Sequence, residues 1–203
     1  MCLVSGRGSN LQSLLNAFAL PTSLAEIVGV VSNRPDAFAL QRATIAQVDT
    51  VTVDHNRFSN REDFDAELAS VVSEFKPDLV VLAGFMRILG HTFVDQYHNI
   101  FNIHPSLLPA FPGLDTHRRA IEAGVTHHGA SVHYVTTKLD AGPIIIQGRV
   151  PVLPDDNESR LAARVLDQEH RIYPTAIKWF AEGRLSIAND QVHVDGCPVQ
   201  TLR

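Results

Sequence analysis

Asn102 and His104 are the two polar residues in a short, otherwise apolar segment that begins at Ile100. In a β-strand alternate side chains share a face, so the two would point the same way. An amide can donate a hydrogen bond to an oxyanion, and an imidazolium can donate a hydrogen bond or a proton. The spacing favours chemistry on a carbonyl group that develops negative charge. A strand-end histidine bound only by local backbone fits the same pattern.

Asp140 is the carboxylate that could keep this histidine charged. It precedes Gly142 and Pro143 in a loop between two predicted strands. Loops at a sheet edge often carry function, and a nearby negative charge favours the protonated form of a histidine. An ordinary turn aspartate explains the loop equally well, so the residues alone leave both interpretations open.

A glycine-rich turn, Ser-Gly-Arg-Gly-Ser-Asn at residues 5–10, joins the first predicted strand to a helix expected to begin near Leu11. Free N–H groups at a helix N-terminus bind anions. A dinucleotide site would have glycine where Leu11 stands and an acidic residue after the second strand, where Ser32–Arg34 lies. The turn therefore favours a single small phosphate, as on a sugar phosphate, with a plain tight turn as the alternative.

Other catalytic patterns are missing from the sequence. The ten histidines form no HExxH motif and no recurrent ligand spacing, so no metal is expected. There is no Gly-x-Ser-x-Gly motif and no cysteine beside a histidine. The sequence thus predicts acid–base and oxyanion chemistry without a metal and without a covalent enzyme intermediate.

Composition predicts a single globular domain, 1–203. The chain has 45% hydrophobic and 19% charged residues and a formal net charge of -5, which argues against nucleic-acid binding. No secretory signal is visible, and no window approaches the roughly 20 apolar residues of a membrane helix. We therefore expect a cytoplasmic protein that contacts neither nucleic acid nor membrane.

Strands and helices alternate along the chain, which predicts a doubly wound, mostly parallel sheet of about seven strands flanked by helices. Apolar positions on one helical face predict a helix from Ser59 to Phe75, with Ser59 and Glu62 as a capping box. A later helix, 157–183, should be kinked or divided at Pro174. A short β-hairpin is expected at 185–194. The predicted strands are 3–4, 27–31, 51–53, 79–82, 100–103, 131–135 and 144–150.

The segment 102–109, Asn-Ile-His-Pro-Ser-Leu-Leu-Pro, strongly resembles the signature of the formyltetrahydrofolate-dependent formyltransferases. The resemblance is collinear over nearly the whole chain and is strongest with the members that formylate glycinamide ribonucleotide. It implies the formyltransferase fold. The other matching stretches are 5–10, 82–89, 111–117, 128–133 and 168–170.

The resemblance implies that a formyl group passes from N10 of 10-formyltetrahydrofolate, the co-substrate, to the amine of glycinamide ribonucleotide in de novo purine biosynthesis. It assigns catalysis to Asn102, His104 and Asp140. Asn102 and His104 would stabilise the tetrahedral oxyanion. Asp140 would hold His104 charged and help to carry the amine proton through water.

The same resemblance assigns two binding regions. Folate binding would also involve Asn102, and core packing is the alternative role for residues 86–89. The partners would be small-molecule substrates, and the protein would be a monomer or a homodimer. The nucleotide-binding residues are Gly8, Ser9 and Asn10 at the phosphate and Glu169 at the ribose, and the folate-binding residues are Arg61, Met86, Arg87, Ile88 and Leu89.

Two alternatives remain for the sequence. A hydrolase of formyltetrahydrofolate should have a second histidine where Pro105 stands, together with an additional N-terminal domain. A non-catalytic module that binds folate or a sugar phosphate would keep the glycine turn and could lose the catalytic residues. Turnover with and without the nucleotide separates these possibilities.

Overall fold

The computed structural model describes residues 1–199. Its strands are β1 (Cys2–Val4), β2 (Val30–Ser32), β3 (Thr50–Thr52), β4 (Val80–Leu82), β5 (Ile100–His104), β6 (His127–Tyr134), β7 (Ile144–Pro151), β8 (Leu185–Ala188), β9 (Gln191–Val194) and β10 (Cys197–Pro198). Its α-helices are α1 (Ser9–Ala17), α2 (Phe38–Ile45), α3 (Arg61–Glu74), α4 (His91–Val94), α5 (Thr116–Glu122) and α6 (Glu158–Ala181). A 3₁₀ helix spans His55–Arg57.

The central sheet has seven strands in the order β3-β2-β1-β4-β5-β6-β7. The strands β3, β2, β1, β4 and β5 are parallel, whereas β6 and β7 pair antiparallel. The strands β1, β2 and β4 are buried throughout, as expected for parallel strands covered on both faces. The predicted mostly parallel, seven-stranded sheet is confirmed.

Contact density divides the chain into two compact units, Met1–Asn102 and a second that begins at Ile103. In the first, β1 is paired on both sides, with β2 and β4. In the second, α6 packs on β6 and β7, and β8, β9 and β10 form a small antiparallel sheet. The single catalytic domain 1–203 remains a prediction. Within residues 1–199 no helix is both long and apolar enough to cross a membrane.

Several boundaries differ from the sequence prediction for physical reasons. The capping residue of α3 is Asn60, not Ser59, because the Asn60 side chain accepts a hydrogen bond from the Asp63 N–H. The helix α6 is not divided, since Pro174 lies inside one continuous helix of 24 residues. The packing of that helix on β6 and β7 offsets the local cost of proline.

Three further boundaries shift. The helix α1 begins at Ser9, so Ser9 and Asn10 belong to its first turn rather than to the preceding loop. The strand β2 begins at Val30 and not at Ile27, whereas β6 begins at His127, earlier than predicted. The terminal hairpin is confirmed as β8 and β9, and β10 extends it.

Candidate active site

The strand β5 carries both Asn102 and His104. Its register places Asn102 opposite Leu82, the last residue of β4, so Asn102 stands at the carboxyl end of the parallel strands. Ligands of open α/β sheets bind at this edge. Asn102 is half-buried and His104 is 6% exposed. An imidazole this well shielded from water interacts strongly with any charge beside it.

The structure brings Asp140 to His104. The Nδ1 atom of His104 lies 3.5 Å from Oδ2 of Asp140, and the two side chains are 8% and 7% exposed. This separation is too long for a strong hydrogen bond, but it is an ion-pair distance once the imidazole is protonated. A buried carboxylate at this distance stabilises the imidazolium form.

The loop Phe111–Gly113 contacts both of these side chains through its backbone. The Phe111 carbonyl lies 3.0 Å from Nε2 of His104, and the Gly113 N–H donates to Oδ2 of Asp140 at 2.9 Å. Asp140 itself has a φ of 48° in the left-handed region, which few residues other than glycine adopt. The loop therefore helps to fix both the ring of His104 and the carboxylate of Asp140.

A second histidine, His133 on β6, approaches the same carboxylate. Its Nε2 atom lies 3.7 Å from Oδ1 of Asp140, and its Nδ1 lies 2.8 Å from the Tyr134 carbonyl. Burial lowers the pKa of His133, opposed by the Tyr134 carbonyl and the charge of Asp140. Because a carbonyl cannot donate, the proton of the neutral ring belongs on Nδ1.

Two more histidines, the half-buried His117 and the buried His128, lie near His104. The rings of His117 and His128 meet edge to face with centroids 5.3 Å apart. Burial lowers the pKa of both, and that of His128 falls to about 4, with the neighbouring positive charge of His117 as the second cause. At neutral pH His128 is therefore uncharged. Among residues 1–199 no three histidine, cysteine or acidic side chains are grouped as metal ligands.

The segment after β5 is held by side chains from β6 and β7. The Ser131 hydroxyl donates to the Ser106 carbonyl at 2.6 Å and accepts from the Leu108 N–H at 3.0 Å. The Gln147 amide donates to the Leu108 carbonyl at 2.9 Å and to the Ser131 hydroxyl at 2.8 Å. These bonds fix the backbone that follows His104.

The predicted nucleotide-binding residues lie on two helices. Gly8 is the N-cap of α1 with a φ of 70°, and a Cβ there would meet the Ala39 Cβ at 2.7 Å, so only glycine fits. Ser9 and Asn10 follow in the first turn, which contains no acidic residue and presents N–H groups suited to an anion. Glu169 is buried on α6 and has interaction partners.

The predicted folate-binding residues belong to α3 and to the segment after β4. Arg61 is exposed in the first turn of α3. Met86 and Ile88 are 72% and 50% exposed, whereas Leu89 is buried at 4%. The core-packing alternative therefore holds for Leu89 but not for the two exposed side chains. The Arg87 guanidinium lies 5.7 Å from the centroid of the Phe64 ring.

Sequence reasoning missed the residues that support His104 and Asp140. The loop Phe111–Gly113 acts through backbone atoms, which leave no signal in side-chain chemistry. Ser131, His133 and Gln147 do alternate along β6 and β7 with apolar neighbours, and polar residues at buried strand positions could have marked them.

Comparison with known proteins identifies the family of the chain. The family model for formyl transferase matches residues 1–177. The phosphoribosylglycinamide formyltransferase of Escherichia coli (strain K12) is 49% identical over 195 residues, covering 96% of this chain and 92% of the relative. The trifunctional purine biosynthetic protein adenosine-3 of Homo sapiens is 42% identical over 189 residues, covering 93% of this chain and 19% of that protein.

A solved structure agrees with the fold. The phosphoribosylglycinamide formyltransferase of Coxiella burnetii, in complex with CHES, superposes with a TM-score of 0.94 at 46% sequence identity. The match covers 100% of this chain and 97% of the other. At this identity the likeness extends beyond the fold to the family.

Proposed function

The chain belongs to the formyl transferase family, and we propose that it transfers a formyl group from 10-formyltetrahydrofolate to the amine of glycinamide ribonucleotide, in de novo purine biosynthesis. The observation that carries the proposal is the buried His104–Asp140 pair, at 3.5 Å, beside Asn102 at the carboxyl end of β5. Full-length similarity to the Escherichia coli phosphoribosylglycinamide formyltransferase supports the choice of acceptor.

The reaction proceeds through a tetrahedral intermediate. The amine nitrogen attacks the formyl carbon and forms a C–N bond, while the carbonyl oxygen becomes an oxyanion. The Asn102 amide and the His104 imidazolium donate hydrogen bonds to that oxygen. When the intermediate collapses, the bond from the formyl carbon to N10 breaks. The proton lost by the amine balances the one gained by N10.

Asp140 pairs with the ring of His104 and takes part in the proton transfer. Its carboxylate faces Nδ1, so it stabilises the imidazolium when the oxyanion forms. The other ring nitrogen, Nε2, lies 3.0 Å from the Phe111 carbonyl. A substrate oxygen that accepts a hydrogen bond from Nε2 must either share the Nε2 proton with the Phe111 carbonyl or displace that carbonyl. A water next to Asp140 would carry the amine proton.

The two substrates bind through different chemistry. The N–H groups at the start of α1, with Gly8, Ser9 and Asn10, bind the phosphate of the nucleotide, and Glu169 binds its ribose hydroxyls. Arg61, Asn102 and the segment Met86–Leu89 bind the folate, whose flat ring covers the exposed Met86 and Ile88.

The direct test is turnover of the purified protein with 10-formyltetrahydrofolate, followed by absorbance with and without glycinamide ribonucleotide. Formation of tetrahydrofolate that depends on the nucleotide is expected. Equal turnover with water alone would instead favour the hydrolase, and folate binding without turnover would favour a binding module. The reaction needs no metal ion, so prior dialysis against EDTA should leave the rate unchanged.

Two properties accompany the proposal. A cytoplasmic location is expected from the sequence, and a monomer or homodimer is the expected assembly. Sedimentation velocity across a range of protein concentrations would separate the two assemblies.

A further inference from the structure

The segment Met86–Gly90 belongs to no strand or helix, yet both of its ends are bound by buried polar side chains. The Met86 N–H donates to the Ser5 hydroxyl at 2.7 Å, and the Gly90 N–H donates to Oδ2 of Asp65 at 2.7 Å. Ser5 is 4% exposed and Asp65 is 1% exposed. A loop anchored in this way loses less conformational freedom when it binds a ligand.

The first anchor, Ser5, directly follows β1. Its hydroxyl donates to Oδ1 of Asn33 at 2.6 Å, which orients the oxygen so that it accepts from Met86. Asn33 is itself held by His55, whose Nδ1 lies 2.7 Å from the Asn33 carbonyl. The anchor is therefore part of a polar network that crosses the ends of the first strands.

The second anchor, Asp65, lies one helical turn after Arg61 on α3. Burial raises the pKa of its carboxyl, while the Gly90 N–H and the charges of Arg61 and Arg87 oppose that rise. A Cβ on Gly90 would lie 2.9 Å from Oδ2 of Asp65, so glycine allows the close approach. Neither Ser5 nor Asp65 has a role in the transfer reaction described above.

The part of the segment between the anchors is available to a ligand. Within the described part of the chain, residues 1–199, no hydrogen bond uses the backbone of Arg87, Ile88 or Leu89. The apolar side chains of Met86 and Ile88 lie beside these free peptide groups and are exposed. Free N–H and C=O groups next to an apolar surface suit a flat ring with a polar edge.

We infer that Ser5 and Asp65 are positioning residues for the folate. They hold the backbone of residues 87–89 so that its N–H and C=O groups meet the edge of the ring without prior rearrangement. The inference rests on the proposed function, because it takes the ligand of this segment to be the folate. It assigns to Ser5 and Asp65 a role in folate affinity and none in nucleotide affinity or in the chemical step.

The test compares Ser5→Ala, Asp65→Ala and Asp65→Asn with Val72→Ala, a buried position on the helix of Asp65 that is a partner in neither anchor bond. We expect Asp65→Ala and Ser5→Ala to raise the KM for 10-formyltetrahydrofolate about tenfold, with kcat and the nucleotide KM within about twofold of wild type. Asp65→Asn should recover most of the loss, since its amide oxygen can still accept from Gly90.

Binding of tetrahydrofolate, measured by anaerobic calorimetry, gives a readout that is independent of turnover, and thermal melting gives the stability of each variant. Weaker tetrahydrofolate binding by Ser5→Ala alone would support the inference even if Asp65→Ala does not fold. Equal rises in both KM values would overturn it, as would a Val72→Ala effect as large as that of Asp65→Ala.

Failure of the proposed function gives a different result. If the wild type does not turn over but binds tetrahydrofolate, the transferase proposal fails, and the variants still decide the role of the anchors by their affinities. If the wild type turns over and all variants keep the wild-type folate KM and affinity, only the positioning role is wrong. A wild type that neither turns over nor binds tetrahydrofolate overturns both.

Discussion

The catalytic role proposed for His104 and Asp140 depends on their burial as much as on their chemical types. The surface pair His91 and Asp95 has nearly the same separation, 3.4 Å, but its side chains are 78% and 70% exposed. Water screens that pair, whereas the His104–Asp140 pair is 8% and 7% exposed. The same two residue types are therefore expected to differ greatly in function at the two places.

This contrast gives the first prediction. His104→Ala removes the proposed oxyanion donor, and Asp140→Asn removes the negative charge proposed to stabilise its imidazolium form. Each should lower kcat by about 100-fold or more while the protein stays folded. The matched variants His91→Ala and Asp95→Asn should keep wild-type rates. Steady-state kinetics with both substrates measures the effect, and a wild-type kcat in either His104→Ala or Asp140→Asn would refute the role assigned to that residue.

A second prediction concerns the start of α1. If Asn10 helps to bind the nucleotide phosphate, Asn10→Ala should raise the KM for glycinamide ribonucleotide about tenfold, the cost of one hydrogen bond to a charged group. The KM for 10-formyltetrahydrofolate should not change. Asn16→Ala, at the exposed end of the same helix, is the control. An equal rise for the two substrates would contradict the phosphate assignment.

At the scale of elements, the first turn of α3 shows how local chemistry fixes a helix boundary. The Asn60 side chain accepts from the Asp63 N–H at 2.9 Å, and its own amide donates to the Asp63 carboxylate at 2.8 Å. The pattern Ser59–Glu62 has the right residue types, but the reciprocal bonds form one position later. Both alternatives satisfy the same preference for a polar N-cap, so the sequence alone does not separate them.

The third prediction separates them by experiment. Asn60→Ala should lower the free energy of unfolding by about 1 kcal/mol, because it leaves an N–H of the first turn without its partner. Ser59→Ala changes an exposed side chain outside the helix and should stay within about 0.5 kcal/mol of wild type. Urea denaturation measures both variants. A larger loss for Ser59→Ala than for Asn60→Ala would show that the cap is the one predicted from sequence.

The predictable elements are those whose signal is local. The apolar runs of β4 and β5 identified both strands, and the turn residues Asn189 and Asp190, each with positive φ, identified the terminal hairpin. The undivided helix α6 was not predictable from Pro174, since its packing on β6 and β7 involves residues distant in sequence. The periodicity of apolar residues indicates which secondary structure a segment can form, whereas tertiary packing determines where that element ends.

At the candidate site as well, residues with a sequence signal were predicted, whereas contacts that depend on tertiary packing were not. The resemblance marked His104 and Asp140, and the structure brings them together. No local pattern could have shown that Ser5 binds the backbone of Met86, 81 positions away, or that Asp65 binds that of Gly90. Which distant polar groups meet depends on the packing of the strands and helices that carry them.

At the scale of the whole molecule, the burial of histidines couples stability to pH. Burial lowers the pKa of His117, His128, His133 and His170, so these rings bind protons less readily in the folded chain than in the unfolded chain. The unfolded chain has no such restriction and takes up the protons first. Proton uptake by these histidines in acid therefore favours the unfolded state.

His128 should make the largest single contribution to this acid sensitivity. Its pKa is about 4 in the folded protein against 6.5 when unperturbed. Above pH 6.5 the ring is neutral in both states, and as the pH falls towards 4 only the unfolded state binds the proton. The free energy of unfolding should therefore fall by up to about 3 kcal/mol from this one residue.

The fourth prediction is that His128→Phe, which keeps an aromatic ring against Phe111 and His117 but cannot titrate, reduces this fall. Between about pH 7 and about pH 5 the wild type should lose about 2 kcal/mol more than the variant. Urea denaturation at several pH values measures both slopes, with His98→Phe at an exposed position as the matched control. Parallel slopes for wild type and His128→Phe would mean that the folded protein already accepts a proton on His128 at mildly acidic pH.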